Sequence, residues 1–585
     1  MTSIKHDPRQ RPYNRIMMAS LPPRGTGSDP APGPASDTPE SVAVQARLVS
    51  ALRDAARMQA PGDRVQVLET HISYVLLIGR FAYKIKKAVN LGFLDYRSLQ
   101  DRRFYCEEEL RLNRRLAPSL YLDVVAITGS AAAPVIAGEG AAIEYAVRMR
   151  AFPQEALATR VLSRGQLTAG HIDTLAAQVA AFHCAADIAK PGGPFGTPDT
   201  ILRIALQNFS QIRSLLDDRA DMSPLDALAS WTLEQHAACA HAMARRQELG
   251  FIRECHGDLH LANIAIFEGQ PLIFDCIEFN AEMRWIDLMS EVAFTVMDLE
   301  GHGRPDFARR FLNAYLEIGG DYDGLSVLRF YLVYRAMVRA KVACMRAAQR
   351  PSEAGYAAAC TEYSRCVQLA NSLARPSRPA IVITHGFAGS GKTTHTQALV
   401  ESVGAVRVRT DVERKRLHGV RPADRSADAI DAGLYTPAAT RRTYRRARML
   451  ATSVAKAGYV AIVDGAFLRR WQRRLFRELA AKLRMPFVVV AFVAKEATLR
   501  ERIARRLHEG SDASDADFAV LEQQLRTQEP LTADELTDSV EFDADATPDH
   551  AHSPGPWRDV LDRLSGAHRA TVSASRPQTS RGAVP

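Results

Sequence analysis

The stretch from Glu254 to Phe267, "ECHGDLHLANIAIF", gathers residue types that suit two different chemistries. His256 and His260 are spaced as zinc ligands often are, but a zinc site needs three or four convergent ligands braced by further hydrogen bonds. No companion ligand stands nearby, and without a CxxC or HExxH context such a pair is usually incidental. Phosphoryl transfer accounts for more of the residues. It needs a carboxylate to accept the proton of the attacking hydroxyl, and oxygen ligands for the magnesium that neutralises the phosphates. Asp258 and Asn263 share one loop, the apolar run "IAIF" follows, "EGQ" supplies a turn, and "PLIFD" ends in Asp275. The pattern predicts a loop, a strand, a tight turn and a second strand that returns a carboxylate to the loop.

A second constellation lies far downstream in "AIVITHGFAGSGKTTHTQALV". A β-branched run enters Gly386, then Gly389, Ser390, Gly391, Lys392, Thr393 and Thr394, and a helix follows. This is G-x-x-x-x-G-K-[ST] between a strand and a helix, the context in which the motif binds nucleotide. Its glycines let backbone N–H groups face phosphate oxygens, and the helix N-terminus adds its dipole. Lys392 is expected to reach the β- and γ-phosphates while Thr393 holds magnesium. "AVRVRTDVERKRLHG" and "YVAIVDGAFLRRWQRR" read as further strands ending in Asp411 and Asp464, with Arg414 a turn after the first. In an open parallel sheet ligands bind beyond the carboxyl ends of the strands, so both carboxylates are expected at the P-loop crevice. Asp464 is assigned to magnesium and Asp411 to the acceptor hydroxyl; the competing role for each is a helix N-cap.

Written out, "HGDLHLANI" followed by "IFDCIEF" closely resembles the catalytic segment of aminoglycoside phosphotransferases and their small-molecule kinase relatives. The resemblance implies a bilobal, protein-kinase-like α+β fold, with Asp258 as catalytic base and Asn263 and Asp275 as magnesium ligands. "HGD" in place of HRD and "DCI" in place of DFG favour a small-molecule acceptor over a protein. Such a fold needs a strand lysine held by a helix glutamate. "HISYVLLIGRFAYKIKKAVNLGF" reads as two strands around a turn at Gly79 and Arg80, with Ala82, Lys84 and Lys86 on one face. The Ala82–Lys84 spacing matches the A-x-K of kinases, which puts Lys84 first and Lys86 second; the alternative is a solvated edge strand. "RSLQDRRFYCEEELRLNRRLAP" follows as an amphipathic helix ending near Pro118 and carrying Glu107, Glu108 and Glu109. Its "CEEELRLNRRLAP" resembles the corresponding helix of an aminoglycoside phosphotransferase-like bacterial family, which points to Glu109 as the partner. No GxGxxG precedes the lysine.

After the P-loop, "VVVAFVAKEATLRERIARRLHEGSDASDADFAVLEQQL" resembles the lid region of small P-loop kinases of the gluconate-kinase and zeta-toxin kind. That resemblance makes Arg502 and Arg506, one turn apart, the lid arginines, with Arg505 as a substitute; the alternative is a solvated basic helix face. The order of motifs resembles a bacterial family that fuses an aminoglycoside phosphotransferase-like domain to a C-terminal P-loop kinase-like ATPase domain. ATP and Mg2+ at both sites are what it implies. The expected organisation is multidomain: a disordered segment 1–40, the kinase-like domain 41–374, a linker 375–378, an α/β P-loop domain with a parallel sheet 379–566, and a disordered tail 567–585.

Composition sets the outer limits. A chain of 585 residues is too long for one core and suits two or three domains. No apolar span approaches membrane length, no apolar leader region is visible near the N-terminus, and the 8 cysteines are scattered without a CxxC, as expected of a cytoplasmic protein. A net charge of +9 raises the question of nucleic acid, but no aromatic strand platform or helix-turn-helix pattern accompanies the arginines. The expected partner is therefore a small-molecule acceptor, and no feature bears on oligomeric state. The alternatives are a polynucleotide 5′-hydroxyl kinase in the C-terminal domain, and a regulatory ATP-binding protein whose kinase-like half has lost activity.

Overall fold

The computed structural model describes residues 39–59, 65–90, 94–216, 222–348, 353–421, 424, 434, 436–509, 516–545 and 554–565. Of the segments expected to be disordered, residues 1–38 and 567–585 lie outside these, as does the polar segment 510–515. Near the N-terminus six antiparallel strands form one sheet: β1 (Val65–Glu69), β2 (Ser73–Ile78), β3 (Phe81–Lys86), β4 (Tyr121–Ser130), β5 (Ala133–Ile136) and β6 (Glu144–Arg150), in the order β1-β2-β3-β6-β4-β5. Both faces are covered. The helix Pro39–Gln59 packs Leu48, Val49 and Leu52 on the face that carries Ile85, and the helix Leu99–Asn113 packs Cys106 on the face that carries Ala82. Side chains alternate along a strand, so Ala82, Lys84 and Lys86 all point toward that second helix, and all three are buried. The alternative of a solvated edge strand fails here because β3 lies inside the sheet, between β2 and β6.

The second lobe is helical, with two small ribbons that shape its site. β7 (Ile252–Glu254) pairs with β10 (Trp285–Asp287), and β8 (Ile264–Phe267) pairs with β9 (Gln270–Ile273). The β8–β9 connection is the two-residue turn Glu268–Gly269, both at positive φ (51° and 75°), the arrangement that matches the twist of a tight hairpin. Behind the ribbons run the largely buried helices Leu288–Gly301 and Leu325–Ala348.

β11 (Ile381–His385), β12 (Val406–Arg409), β13 (Ala461–Asp464), β14 (Phe487–Val493) and β15 (Ser539–Asp543) form a parallel sheet in the order β12-β13-β11-β14-β15. The three inner strands β13, β11 and β14 are apolar runs with little alternation, as expected where helices cover both faces, while the outer strands β12 and β15 alternate. One face packs on Leu399, Val400 and Trp557. The other joins the helical lobe: Ile381, Ile383, Val406 and Val408 belong to the same buried cluster as Leu316, Val327 and Tyr331. Charged contacts border this shared core. Arg309 donates to the Glu401 and Ser402 carbonyls at the end of the helix Lys392–Val403, and Arg310 bridges Asp173 and Glu401. Among the described residues no helix is long and apolar enough to cross a membrane.

Candidate active sites

The first site forms where β3, the helix Leu99–Asn113 and the β8–β9 hairpin converge. Lys84 Nζ lies 2.8 Å from Glu109 and 2.5 Å from Asp275, so one cation joins strand, helix and hairpin. Glu109 is fully buried, and its second oxygen takes a bond of 2.7 Å from Lys86. Lys86 in turn pairs with Glu278, which also accepts from Tyr96 Oη at 2.6 Å. The result is an alternating chain, Asp275–Lys84–Glu109–Lys86–Glu278, in which each buried charge has an opposite neighbour. Burial would push Lys84 down, but Asp275, Glu109 and Glu278 hold its ammonium well above the usual lysine value. Glu107 and Glu108 face other directions, pairing with Arg103 and Arg111.

Asp258 and Asn263 stand in the loop between β7 and β8. Asn263 Nδ2 donates to both the Asp258 carbonyl and its Oδ2, each at 2.9 Å. That leaves Asn263 Oδ1 beside the Asp258 carboxylate, and the Asn263 carbonyl accepts the Phe274 N–H at 3.0 Å, one residue before Asp275; oxygen groups of this kind suit a hard cation such as magnesium. The histidines act on the loop itself. His256 Nδ1 accepts from the Asp258 N–H and His260 Nδ1 from the Ala262 N–H, so their protons sit on Nε2, facing the Phe274 carbonyl and Asp258 Oδ2. Neither histidine belongs to a metal-like cluster among the described residues; the group that does is His183, Cys255 and Glu291. Burial would raise the Asp258 carboxyl, yet His260, His256 and Arg339 hold it well below the usual range. It is therefore ionised at neutral pH.

Three supports, Glu291, Tyr121 and Glu278, were not read from the sequence. Glu291 accepts the His256 and Gly257 N–H groups at 2.7 Å each, fixing the start of the loop that carries Asp258 from the helix beneath it. Its signal is a lone acid in the apolar run "LMSEVAF". Asp275 has φ 69°, a left-handed conformation uncommon for a residue with a side chain, and its N–H donates to Tyr121 Oη. Glu278 had a signal too, as the second acid of "DCIEF".

The second site sits at the carboxyl end of β11, where the strand order reverses. Gly389 and Gly391 both hold left-handed φ, 81° and 75°, and a Cβ on Gly389 would come within 2.6 Å of the Leu499 carbonyl. Lys392 curls back over the loop, donating to the Gly386 and Phe387 carbonyls at 3.1 and 2.7 Å and to Ser390 Oγ at 3.3 Å. Thr393 Oγ1 donates to Asp464 Oδ2 at 2.6 Å. A hydroxyl and a buried carboxylate side by side, next to a glycine cradle, fit a magnesium–nucleotide complex. Thr394 follows on the first turn of the same helix.

The remaining expectations scatter more. Asp411 lies inside the first turn of the helix Thr410–Leu417, one residue beyond its start, and is not the N-cap, which is Arg409. Arg414 donates to the Leu434 carbonyl and Thr440. Arg502 lies against the P-loop, its Nη1 3.2 Å from where a Cβ on Gly391 would stand, and donates to the Ala544 carbonyl at 2.7 Å. Arg506 donates to the Ala516 carbonyl.

Comparison with known proteins bears on both halves. The model of the Phosphotransferase enzyme family matches residues 97–331, and that of an AAA domain matches residues 381–531. Proteins named as uncharacterized from Mycobacterium tuberculosis and Mycobacterium bovis are 30% identical over 450 residues, covering 77% of this chain and 88% of theirs. Among solved structures, a choline kinase from Cryptosporidium parvum aligns over 56% of this chain and 96% of its own, at 12% identity and TM-score 0.36. A gluconokinase from Sinorhizobium meliloti aligns over 34% and 99%, at 19% identity and TM-score 0.25.

Proposed function

This chain, with a phosphotransferase-family domain ahead of a P-loop AAA domain, belongs to the same family as the mycobacterial relatives, and from that premise we propose an ATP- and magnesium-dependent kinase with two nucleotide sites. The N-terminal domain transfers a phosphoryl group to the hydroxyl of a small molecule, and the P-loop domain binds a second nucleotide for transfer of its own. The observation that carries this reading is Lys84 bridging Glu109 and Asp275 while Asn263 holds Asp258 through its side chain and the Phe274 N–H, next to Asp275, through its carbonyl.

Asp258 accepts the hydroxyl proton as the acceptor oxygen bonds to the terminal phosphorus and the bond to the nucleoside diphosphate breaks. Asn263 fixes the direction of the Asp258 carboxylate, and His260 keeps it ionised. Lys84, steadied by Glu109, is placed for phosphate oxygens. Asn263 and Asp275 would hold magnesium in this domain, and Thr393 and Asp464 in the other. Bound there, the ion offsets phosphate charge. Lys392 and the backbone of Gly389, Ser390 and Gly391 would grip the second nucleotide, with Arg502 beside them. Eight unpaired cysteines support a reducing, cytoplasmic setting.

The test is a panel of sugars, nucleosides, aminoglycosides and short oligonucleotides offered with labelled ATP. Because the two domains share a buried core, the arms are full-length chains, wild-type, Asp258→Asn and Lys392→Ala. A small-molecule product lost only in Asp258→Asn is the expected result. Labelling of oligonucleotides alone, lost only in Lys392→Ala, would move the activity to the P-loop domain and overturn the N-terminal assignment.

A further inference from the structure

β12 is one of the two outer strands of the P-loop sheet, and outer strands present unpaired backbone groups. Here the kinase-like domain takes two of them. Asn313 Oδ1 accepts the Arg407 N–H at 2.8 Å, and Tyr322 Oη donates to the Arg407 carbonyl at 3.2 Å. The Arg407 side chain then turns inward. It is 6% exposed, and its Nη1 donates to the Thr393 carbonyl at 2.7 Å. Its Nη2 lies 3.8 Å from Glu317, a residue of the kinase-like domain that also pairs with Arg409 at 3.0 Å.

Thr393 is thus held from two sides, its hydroxyl by Asp464 and its carbonyl by Arg407. Burial works against the charge of Arg407, while Glu317 and then Asp464 favour it. If Glu317 lost its charge, the buried guanidinium would be drawn to Asp464, the carboxylate that otherwise serves Thr393. Sequence alone carried only a faint sign of this, two arginines alternating with valines in "AVRVR".

We propose that Glu317 of the kinase-like domain, acting through Arg407, is a positioning residue for magnesium–nucleotide binding at the P-loop, so that this site is completed by its neighbouring domain. The inference rests on the reading that Thr393 and Asp464 hold magnesium.

The test is a magnesium titration of a fluorescent ATP analogue bound to the full-length chain, following the component of binding that Lys392→Ala removes. In Glu317→Gln the magnesium needed for half-binding is expected to rise about 10- to 100-fold, the usual scale for residues that orient a metal ligand. Glu317→Asp should recover part of it. Arg407→Lys, which keeps the charge but loses the fork that reaches Thr393, should shift magnesium dependence the same way. A wild-type magnesium midpoint in Glu317→Gln or in Arg407→Lys, whatever happens to thermal stability, would overturn the inference alone. Absence of any Lys392-dependent binding in the wild-type chain would overturn both it and the reading beneath it.

Discussion

The two sites hold their charges in different ways. In the kinase-like domain each functional charge rests on another side chain: Lys84 on Glu109 and Asp275, Asp258 on Asn263 and His260. In the P-loop domain the lysine rests chiefly on main-chain carbonyls, and the phosphate cradle is backbone. A ligand entering the first must therefore share or displace ion pairs that join two lobes, whereas a ligand entering the second lifts one lysine from its own loop. The first site is coupled to the stability of its domain, and the second much less so.

The sharpest way to break this contrast is to remove the proposed base. Asp258→Asn should slow phosphoryl transfer by the N-terminal domain about a hundred- to ten-thousand-fold while leaving nucleotide binding nearly intact. Steady-state transfer rates beside equilibrium binding check it; loss of binding with unchanged transfer per bound nucleotide would make Asp258 a ligand-holding group.

Next in size is Glu109→Gln. It leaves two buried lysines short of a countercharge, and breaking a buried ion pair from one side costs about 3–5 kcal/mol. Thermal unfolding should show a large drop in midpoint, where Lys392→Ala shows little. Equal drops in the two variants would erase the distinction drawn here.

Asp275→Ala should weaken magnesium-dependent nucleotide use in the N-terminal domain about 10- to 100-fold, with partial recovery at raised magnesium. A change confined to the acceptor KM would instead place Asp275 in the acceptor pocket.

A further effect concerns pH. Burial works to raise the Glu291 carboxyl, but His183, His256 and the His256 N–H hold it at about 2 rather than 4.5. A depressed carboxylate adds stability above its unfolded value, and that stability is lost as pH falls from about 4.5 toward 2. Stability measured across that window should fall more steeply for the wild-type chain than for Glu291→Gln, by up to about 3 kcal/mol. Parallel curves would show that Glu291 does not carry the loop's charge.

Local patterns were legible in the sequence, and long-range pairings were not. The P-loop, the hairpin delivering Asp275 and the β3 face bearing Lys84 and Lys86 follow from spacing alone, because period-two strands and turn residues act over a few positions. The choice among Glu107, Glu108 and Glu109 does not follow from spacing, since neighbouring helix positions point in different directions. Glu278 and Glu291 left only a bare acid in the sequence, and their roles were out of reach because their partners stand far away, Lys86 across 192 positions and His256 across 35. Arg506 shows the limit from the other side: a basic residue at helical spacing fits a lid or a solvated face equally, and here it reaches the Ala516 carbonyl.

The central claim is that one chain holds two separate nucleotide sites, each with its own phosphate-binding lysine. Titration calorimetry of the full-length chain with a non-hydrolysable ATP analogue and magnesium measures this directly. The account predicts two nucleotides per chain, one remaining in Lys392→Ala and one in Lys84→Ala. A single nucleotide that disappears in Lys392→Ala and is untouched in Lys84→Ala would contradict it, leaving the P-loop as the sole site.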